Sequence, residues 1–122
     1  MLTITTEYRH GILFVRLHGY LISSTVSRLN KEVDSWLLGG ITNIVFNVVE
    51  VEQIDNSGND ALLRYYRLLN NNDGHSLICG INNHINNNLK KSCLLKYVYE
   101  ISDELNAIKV MKWKDEARRT NY

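Results

Sequence analysis

Long apolar segments are absent from this sequence of 122 residues. No stretch approaches the ~18 apolar residues that a membrane-spanning helix needs. The first ten residues, MLTITTEYRH, also lack the basic and then apolar build of a secretory signal. We therefore expect a soluble, intracellular protein that does not insert into a membrane.

Cysteine and histidine are scarce, and neither is spaced as in a metal site. Cys79 and Cys93 form no Cys-x-x-Cys pair and allow no disulfide framework. The four histidines never stand at i, i+4 on one predicted helix or beside a cysteine pair. We predict reduced thiols, as in a reducing cytosol, and no metal or other cofactor.

The usual signatures of an enzyme are missing as well. The chain has neither a Gly-rich phosphate loop nor a Gly-x-Ser-x-Gly elbow. A formal net charge of +1, with 22% charged residues, gives no electrostatic reason to bind nucleic acid or an acidic membrane surface. We therefore expect no direct nucleic-acid binding and no enzymatic activity.

What the sequence does contain is enough apolar residues for one core. The hydrophobic share is 44%, and no linker or internal repeat divides the chain. We predict a single domain over residues 1–112. A charged C-terminal tail, frayed or lying on the surface, is expected over residues 113–122.

Hydrophobic periodicity predicts an α/β fold whose sheet starts with a hairpin. Residues 2–19 alternate with period two on both sides of a turn at residues 9–11. Continuously apolar runs over residues 41–49 and 76–81 suit strands that are covered on both faces. They flank a helical segment, which implies a right-handed parallel crossover. A brief last strand is predicted in KYVYEI.

Two helices are predicted around the first apolar run. The first begins at a cap formed by Ser23 or Ser24, ends at Gly39-Gly40, and places Trp36 in the core. The second buries a stripe of apolar residues at helical spacing. That stripe consists of Ala61, Leu62, Tyr65, Leu68 and Leu69.

Two more helices are predicted near the C-terminal end. The third carries Ile85 and Leu89 at i, i+4, and Asn82 or Asn83 is a candidate cap. The fourth begins near Ser102. It is expected to turn three apolar residues inward, namely Leu105, Ile108 and Met111.

The stretch QIDNSGND, residues 53–60, allows two interpretations. Ser57, followed three residues later by Asp60, fits a capping box that stabilises a helix start by about 1 kcal/mol. A hydroxyl at the carboxyl end of a parallel strand is also exposed where α/β folds place functional surfaces. A phosphate there would meet backbone N–H groups of the helix N-terminus. It would change the net charge from +1 to about −1, next to Asp55 and Asp60.

The order of these elements, with the segments HGYL, FNVVEVEQIDNSG, RYY, ICGI and INNNLKKSCLLK, resembles a known family. From about Leu2 to Met111 the chain is similar to the STAS-domain anti-sigma factor antagonists of the sporulation sigma-F and general-stress type. DNSG resembles the family's Asp-Ser-Ser/Thr-Gly phosphorylation motif, with Ser57 at the acceptor position. The resemblance implies the STAS fold, a mixed sheet of about five strands packed with about four helices.

The resemblance also implies a function for a cytoplasmic protein. An unphosphorylated antagonist binds an anti-sigma factor that is also a serine kinase, and the captured sigma factor is released. The kinase uses ATP to phosphorylate the antagonist, and a PP2C-type phosphatase reverses the modification. Ser57 would be the acceptor, and Asp55 would orient or polarise it. The implied partner contacts are the docking turn of Asn56, Gly58 and Asn59, and a second surface of Tyr20, Leu21, Ile22, Ser23 and Ser24.

Three positions depart from the family pattern, and other roles remain open. Tyr20-Leu21-Ile22 stands where many members have Glu-Leu-Asp, Asn59 where an apolar residue is common, and Cys93 where glycine is common. STAS domains also serve as small subunits of lipid-trafficking ABC transporters and as scaffold subunits of stress-sensing assemblies. Both are alternative functions for this chain.

Overall fold

One mixed five-stranded sheet forms the centre of the fold, with its strands in sequence order. The computed structural model describes residues 1–120, and the side chains of residues 1–117. The strands are β1 Leu2–Arg9, β2 Ile12–Leu21, β3 Asn43–Ile54, β4 His75–Cys79 and β5 Tyr99–Ile101. β1 and β2 pair antiparallel, and the other neighbours pair parallel.

Helices connect and follow the parallel strands. They are α1 Val26–Leu38, α2 Asn56–Asn71, α3 Asn86–Lys91 and α4 Glu104–Thr120, with a 3₁₀ turn at Leu94–Lys96. The order of strands and helices confirms the predicted order.

Over residues 1–120, no helix combines the length and apolar character needed to cross a membrane.

The predicted N-terminal hairpin is present and has a two-residue turn. His10 and Gly11 both have positive φ, 55° and 73°, which is the backbone of the turn that best matches the twist of two antiparallel strands. Arg9 pairs with Ile12 across the turn. The register of the whole hairpin follows, because the length and type of the turn fix how the two strands pair.

Both faces of the sheet are covered, as the continuously apolar strands predicted. Phe46 of β3 packs on one face with residues of α1, α2 and α3. Val45, which points the other way, packs with Ala107 and Met111 of α4. Because successive strand residues alternate between faces, a strand between two helical layers has no polar side, and β3 and β4 are therefore apolar at consecutive positions.

Two leucines that were predicted to be buried are exposed. Leu68 of α2 is 38% exposed and Leu105 of α4 is 63% exposed, so these predictions were wrong. Over residues 104–117 of α4 the buried positions are Ala107 and Met111, one turn apart. Leu105 is two residues before Ala107 and therefore lies about 200° around the helix, on the solvent side.

Several element boundaries also differ from those predicted. β3 continues past Val49 to Ile54 because β2 pairs with it as far as Leu21, while β4 already ends at Cys79. α4 runs through residue 112 without a break. Its Asp115 accepts a hydrogen bond from the amide of Asn43 at 3.1 Å, so this part of the charged C-terminal segment contacts the domain.

Trp36 is only half-buried. Its ring stacks on Tyr8 with ring centroids 6.2 Å apart, and the side chain packs against the edge of the core. The prediction of a core residue is therefore correct only in part.

Candidate functional site

Asp55 joins the ends of two neighbouring strands. It follows β3 in extended conformation and is the N-cap of α2: its Oδ1 accepts from the N–H of Gly58 at 2.9 Å. Its Oδ2 accepts from the N–H of Ser23, in the loop after β2, at 2.9 Å. The Asp55 N–H in turn donates to the carbonyl of Leu21 at 3.3 Å. One side chain therefore fixes the start of α2 against the β2–α1 loop.

Ser57 is not the helix cap, so the capping-box prediction was wrong. It is the second residue of α2, and the cap is two residues earlier. Asp60 is exposed, and no hydrogen bond of the Ser57 hydroxyl is found within residues 1–117. Asp55 already binds the first-turn donor of Gly58, so the side chain of Ser57, a half-buried residue, does not cap the helix.

The β2–α1 loop, residues 22–25, is held by a threonine. The Thr25 hydroxyl accepts from the N–H of Ile22 at 3.0 Å and donates to the carbonyl of Tyr20 at 2.7 Å. Thr25 occupies the N-cap position of α1, but its side chain makes no capping bond. The predicted cap at Ser23 or Ser24 was therefore wrong. Both serines are exposed on the loop surface.

Gly58 allows α2 to approach the end of β2 closely. A Cβ at this position would lie 2.3 Å from the carbonyl oxygen of Leu21 and 2.8 Å from Ile54 Cγ1, both well inside van der Waals contact. The glycine of the DNSG motif is therefore required by the packing of α2 on β2. Its role is steric, because a side chain here would separate the two segments that Asp55 joins.

The predicted site residues come together, but they are not equally accessible. All lie at the carboxyl ends of β2 and β3, in the loop after β2 or in the first turn of α2. Leu21, Gly58 and Asn59 are buried and offer little surface to a partner. The half-buried residues are Ile22, Asp55 and Ser57, and the exposed ones are Tyr20, Ser23, Ser24 and Asn56.

Comparison with known proteins identifies the family. The model of the STAS domain matches residues 3–108. The chain belongs to the STAS domain family. It is 29% identical over 108 residues to an anti-sigma F factor antagonist of Paenibacillus polymyxa, covering 88% of this chain and 92% of that protein.

Solved structures share the fold at low identity. Unphosphorylated SpoIIAA, an anti-sigma factor antagonist, superposes with a TM-score of 0.75 at 19% identity, covering 88% of this chain and 96% of that one. Its phosphorylated form, from Bacillus, gives a TM-score of 0.69 at 19% identity, with 88% and 99% covered. A sulfate transporter family protein of Wolinella succinogenes gives 0.74 at 15% identity, with 90% and 92% covered.

Asn82, which was not predicted as a site residue, supports this region of the STAS domain. The Asn82 amide donates to the carbonyls of Val48, Val49 and Val51 at 2.7–3.2 Å, where β3 extends beyond β4. Asn82 Oδ1 also accepts from the N–H groups of His84 and Ile85. Asn82 was predicted only as a candidate cap of α3, since its partners on β3 are more than thirty residues away in sequence.

Asn59 connects α2 to α3. It is 3% exposed, and its amide donates to Asn88 Oδ1 at 2.6 Å. Its own Oδ1 is buried and has no hydrogen-bond partner within the described residues. The position where the family commonly has an apolar residue therefore holds a buried polar one.

The electrostatic environment of the site is acidic. Glu50 and Glu52 on β3 and Asp60 on α2 are exposed and lie within five residues of Asp55 in the sequence. Within residues 1–117, no group of three or more His, Cys, Asp or Glu side chains is placed to hold a metal ion. Cys79, at the end of β4, is buried, and burial raises the pKa of its thiol to about 12.

Proposed function

We propose that this STAS protein is an anti-sigma factor antagonist that is switched by phosphorylation of Ser57. In its unphosphorylated form it binds an anti-sigma factor, which is also the serine kinase, and thereby frees a sigma factor. The Paenibacillus relative, named as an anti-sigma F factor antagonist, supports the class. A PP2C-type phosphatase would restore the binding form.

The observation that carries this proposal is the double hydrogen bond of Asp55. By binding the N–H groups of Gly58 and Ser23, it holds the β2–α1 loop and the first turn of α2 as one surface. Ser57 lies on that surface with a hydroxyl that caps nothing. A partner that contacts Tyr20, Ser23 and Asn56 therefore also covers Ser57.

We infer that Asp55 orients Ser57 and does not polarise it. Both of its carboxylate oxygens accept from backbone N–H groups, so it orients the peptide segment that carries Ser57. The kinase would supply ATP and the catalytic groups, and this chain would supply a hydroxyl in a fixed position. Asp55→Ala is therefore expected to weaken docking and phosphorylation together, because the acceptor segment loses its anchor.

Phosphorylation would act on this surface electrostatically. A phosphate adds about −1.5 to −2 charges in a region that already holds Asp55, Glu50, Glu52 and Asp60. Burying a dianion against a partner without matching cations costs several kcal/mol. The phosphate would also repel the Asp55 carboxylate, which accepts a hydrogen bond from the Ser23 N–H. This repulsion would loosen the loop after β2.

A capture experiment tests the proposal. Wild-type protein and the variants Ser57→Ala and Ser57→Asp are used as baits in lysate of the source organism, and bound proteins are identified by mass spectrometry. The wild type and Ser57→Ala are expected to retain an anti-sigma factor with a serine-kinase domain, and Ser57→Asp is expected to lose it. The purified kinase with ATP should then phosphorylate the wild type at Ser57 and leave Ser57→Ala unmodified.

Ser35→Asp is the matched control, because it adds the same charge at an exposed position near the other end of α1. It should bind like the wild type. Recovery of transporter subunits or of a large multi-subunit assembly by all four baits would contradict the proposal. It would favour the transporter or scaffold roles that other STAS domains have.

A further inference from the structure

A polar cleft of about 300 Å³ lies at the amino-terminal ends of β4 and β5. Because Ser57 follows the carboxyl end of β3, the cleft lies at the opposite end of the parallel strands. The end of α2, the start of β4, the segment around the 3₁₀ turn and β5, and α4 all contribute to its walls. The side chains that matter are Tyr66, Ser76, Lys96, Tyr97, Tyr99 and Lys114.

The charged groups that line the cleft are cationic. The charged side chains are Lys96 and Lys114, and the lining, as far as the structure describes the chain, includes no carboxylate. Asp115 Oδ1 lies 3.6 Å from His75 Nε2, and the exposed Glu100 is next to Tyr99 in sequence. Two lysine side chains in the lining of one cleft favour an anion as the ligand.

Aromatic rings provide a second kind of contact. Tyr66 and Tyr97 lie with ring centroids 6.0 Å apart at an interplanar angle of 37°, and the Lys114 ammonium lies 4.3 Å from the Tyr99 ring centroid. Tyr97 and Tyr99 are 49% and 59% exposed. A planar apolar group that packs on these rings would remove apolar surface from water and gain the offset or edge-on contacts that rings prefer.

Ser76 provides an independent indication of a polar ligand. It is 5% exposed, and its buried hydroxyl has no hydrogen-bond partner within the described residues. Buried hydroxyls are nearly always satisfied, since leaving one unpaired costs roughly 1–3 kcal/mol. A polar group bound in the cleft, reached after a small side-chain movement, would supply the missing partner.

We propose that this cleft binds a small organic anion, a single aromatic ring that carries an acidic group. The acidic group lies between Lys96 and Lys114, the ring packs on the tyrosines, and a polar substituent meets Ser76. The cleft is at the lower end of the size range of ligand pockets, which suits one ring better than a larger molecule. This site is separate from the Ser57 surface and does not depend on the proposed function.

The test is an NMR titration of the full-length ¹⁵N-labelled protein with 4-hydroxybenzoate. The neutral isostere 4-hydroxybenzamide serves as the ligand control. Saturable shifts are expected at His75, Ser76 and residues 96–99, with the amide binding at least threefold more weakly, as loss of a partly exposed ion pair predicts. Equal affinity for the acid and the amide, or shifts without saturation, would overturn the proposal.

Variants locate the site. Lys96→Gln and Ser76→Ala should each weaken 4-hydroxybenzoate binding about threefold, while Lys31→Gln, at an exposed position on α1, should leave it unchanged. The ¹H–¹⁵N spectrum of each variant checks that it folds. Binding that is unaffected by Lys96→Gln in a folded variant would overturn the assignment. Shifts at Tyr20–Ser24 and Asn56 would do the same, because they would place the ligand at the other end of the sheet.

Discussion

At the scale of single residues, Asp55 does two things that its neighbours in the DNSG motif do not. It caps α2 and holds the loop after β2, with one carboxylate oxygen for each task. Asn56 and Ser57 are equally common helix caps. The hydrogen bond to Ser23 distinguishes Asp55 from these two residues. Because Ser23 is distant in sequence, no local pattern predicts that bond.

Asp55→Ala should therefore lower the free energy of unfolding by about 2 kcal/mol. A lost cap accounts for about 1 kcal/mol, and the lost bond to the Ser23 N–H contributes a similar amount. Urea denaturation measures the change. Asp60→Ala, on the exposed side of the same helix turn, should stay within about 0.5 kcal/mol of the wild type. Equal losses in the two variants would show that Asp55 has no special role.

Gly58→Ala should be destabilising although alanine favours helices. The added Cβ would lie 2.3 Å from the Leu21 carbonyl oxygen, and moving α2 away costs about 1–3 kcal/mol, as overpacking does. The control is Asn56→Ala, an exposed position two residues earlier in the same turn of α2, and thermal unfolding compares the two variants. A Gly58→Ala variant as stable as the wild type would refute the close approach of α2 to β2.

At the scale of elements, the polar contacts that attach segments to the sheet were the least predictable part of the fold. The hairpin, the strands and the helices could be predicted from periodicity, because the spacing of apolar residues along the sequence identifies the buried face of a strand or helix. The burial of Ala107 instead of Leu105 and the three carbonyl partners of Asn82 depend on how elements pack. Those contacts join residues that are far apart in sequence.

Asn82 replaces a strand partner where β3 is longer than β4. Its amide donates to carbonyls of β3 that lie beyond the last residue paired with β4. Asn82→Ala should lower the free energy of unfolding by about 1–3 kcal/mol, since partly buried carbonyls lose their donor. Asn83→Ala, the exposed next residue, is the control in a urea denaturation series. If both variants unfold at the same denaturant concentration, the bridging role is wrong.

Glu104 attaches the start of α4 to the sheet. Its carboxylate accepts two hydrogen bonds from the Arg16 guanidinium, at 2.7 and 2.8 Å, and one from Asn47 at 2.7 Å. The Arg16 hydrogen bonds, followed by that of Asn47, hold the pKa of Glu104 below its usual value, against a smaller opposing effect of burial. The charged carboxylate is thus favoured in the folded protein.

A lowered pKa in the folded state means that the stabilisation is present above the unfolded pKa, near 4.5, and is lost as the pH falls below it. Glu104→Gln should lower the stability at pH 7 by about 1–2 kcal/mol, and its stability should fall less than that of the wild type below pH 4.5. Thermal unfolding between pH 3 and 7 tests this. Parallel pH curves for the two proteins would contradict the pairing, and Glu100→Gln, exposed on β5, is the control.

At the scale of the whole molecule, the two ends of the parallel strands have different chemistry. The carboxyl ends carry the acidic Ser57 surface that we propose as a protein-binding switch. The amino ends of β4 and β5 carry the cationic, aromatic cleft that we propose as a small-anion site. The sequence indicated the first through DNSG, a contiguous motif. It did not indicate the second, whose walls come from residues between Tyr66 and Lys114.

The most direct test of the switch is the affinity of the purified anti-sigma partner for the protein with and without phosphate on Ser57, measured by isothermal titration calorimetry. We expect phosphorylation to weaken binding at least tenfold, equal to about 1.4 kcal/mol, because the dianion would be buried beside Asp55. Equal affinities for the two forms would contradict the switch and leave Ser57 as an ordinary residue of the first turn of α2.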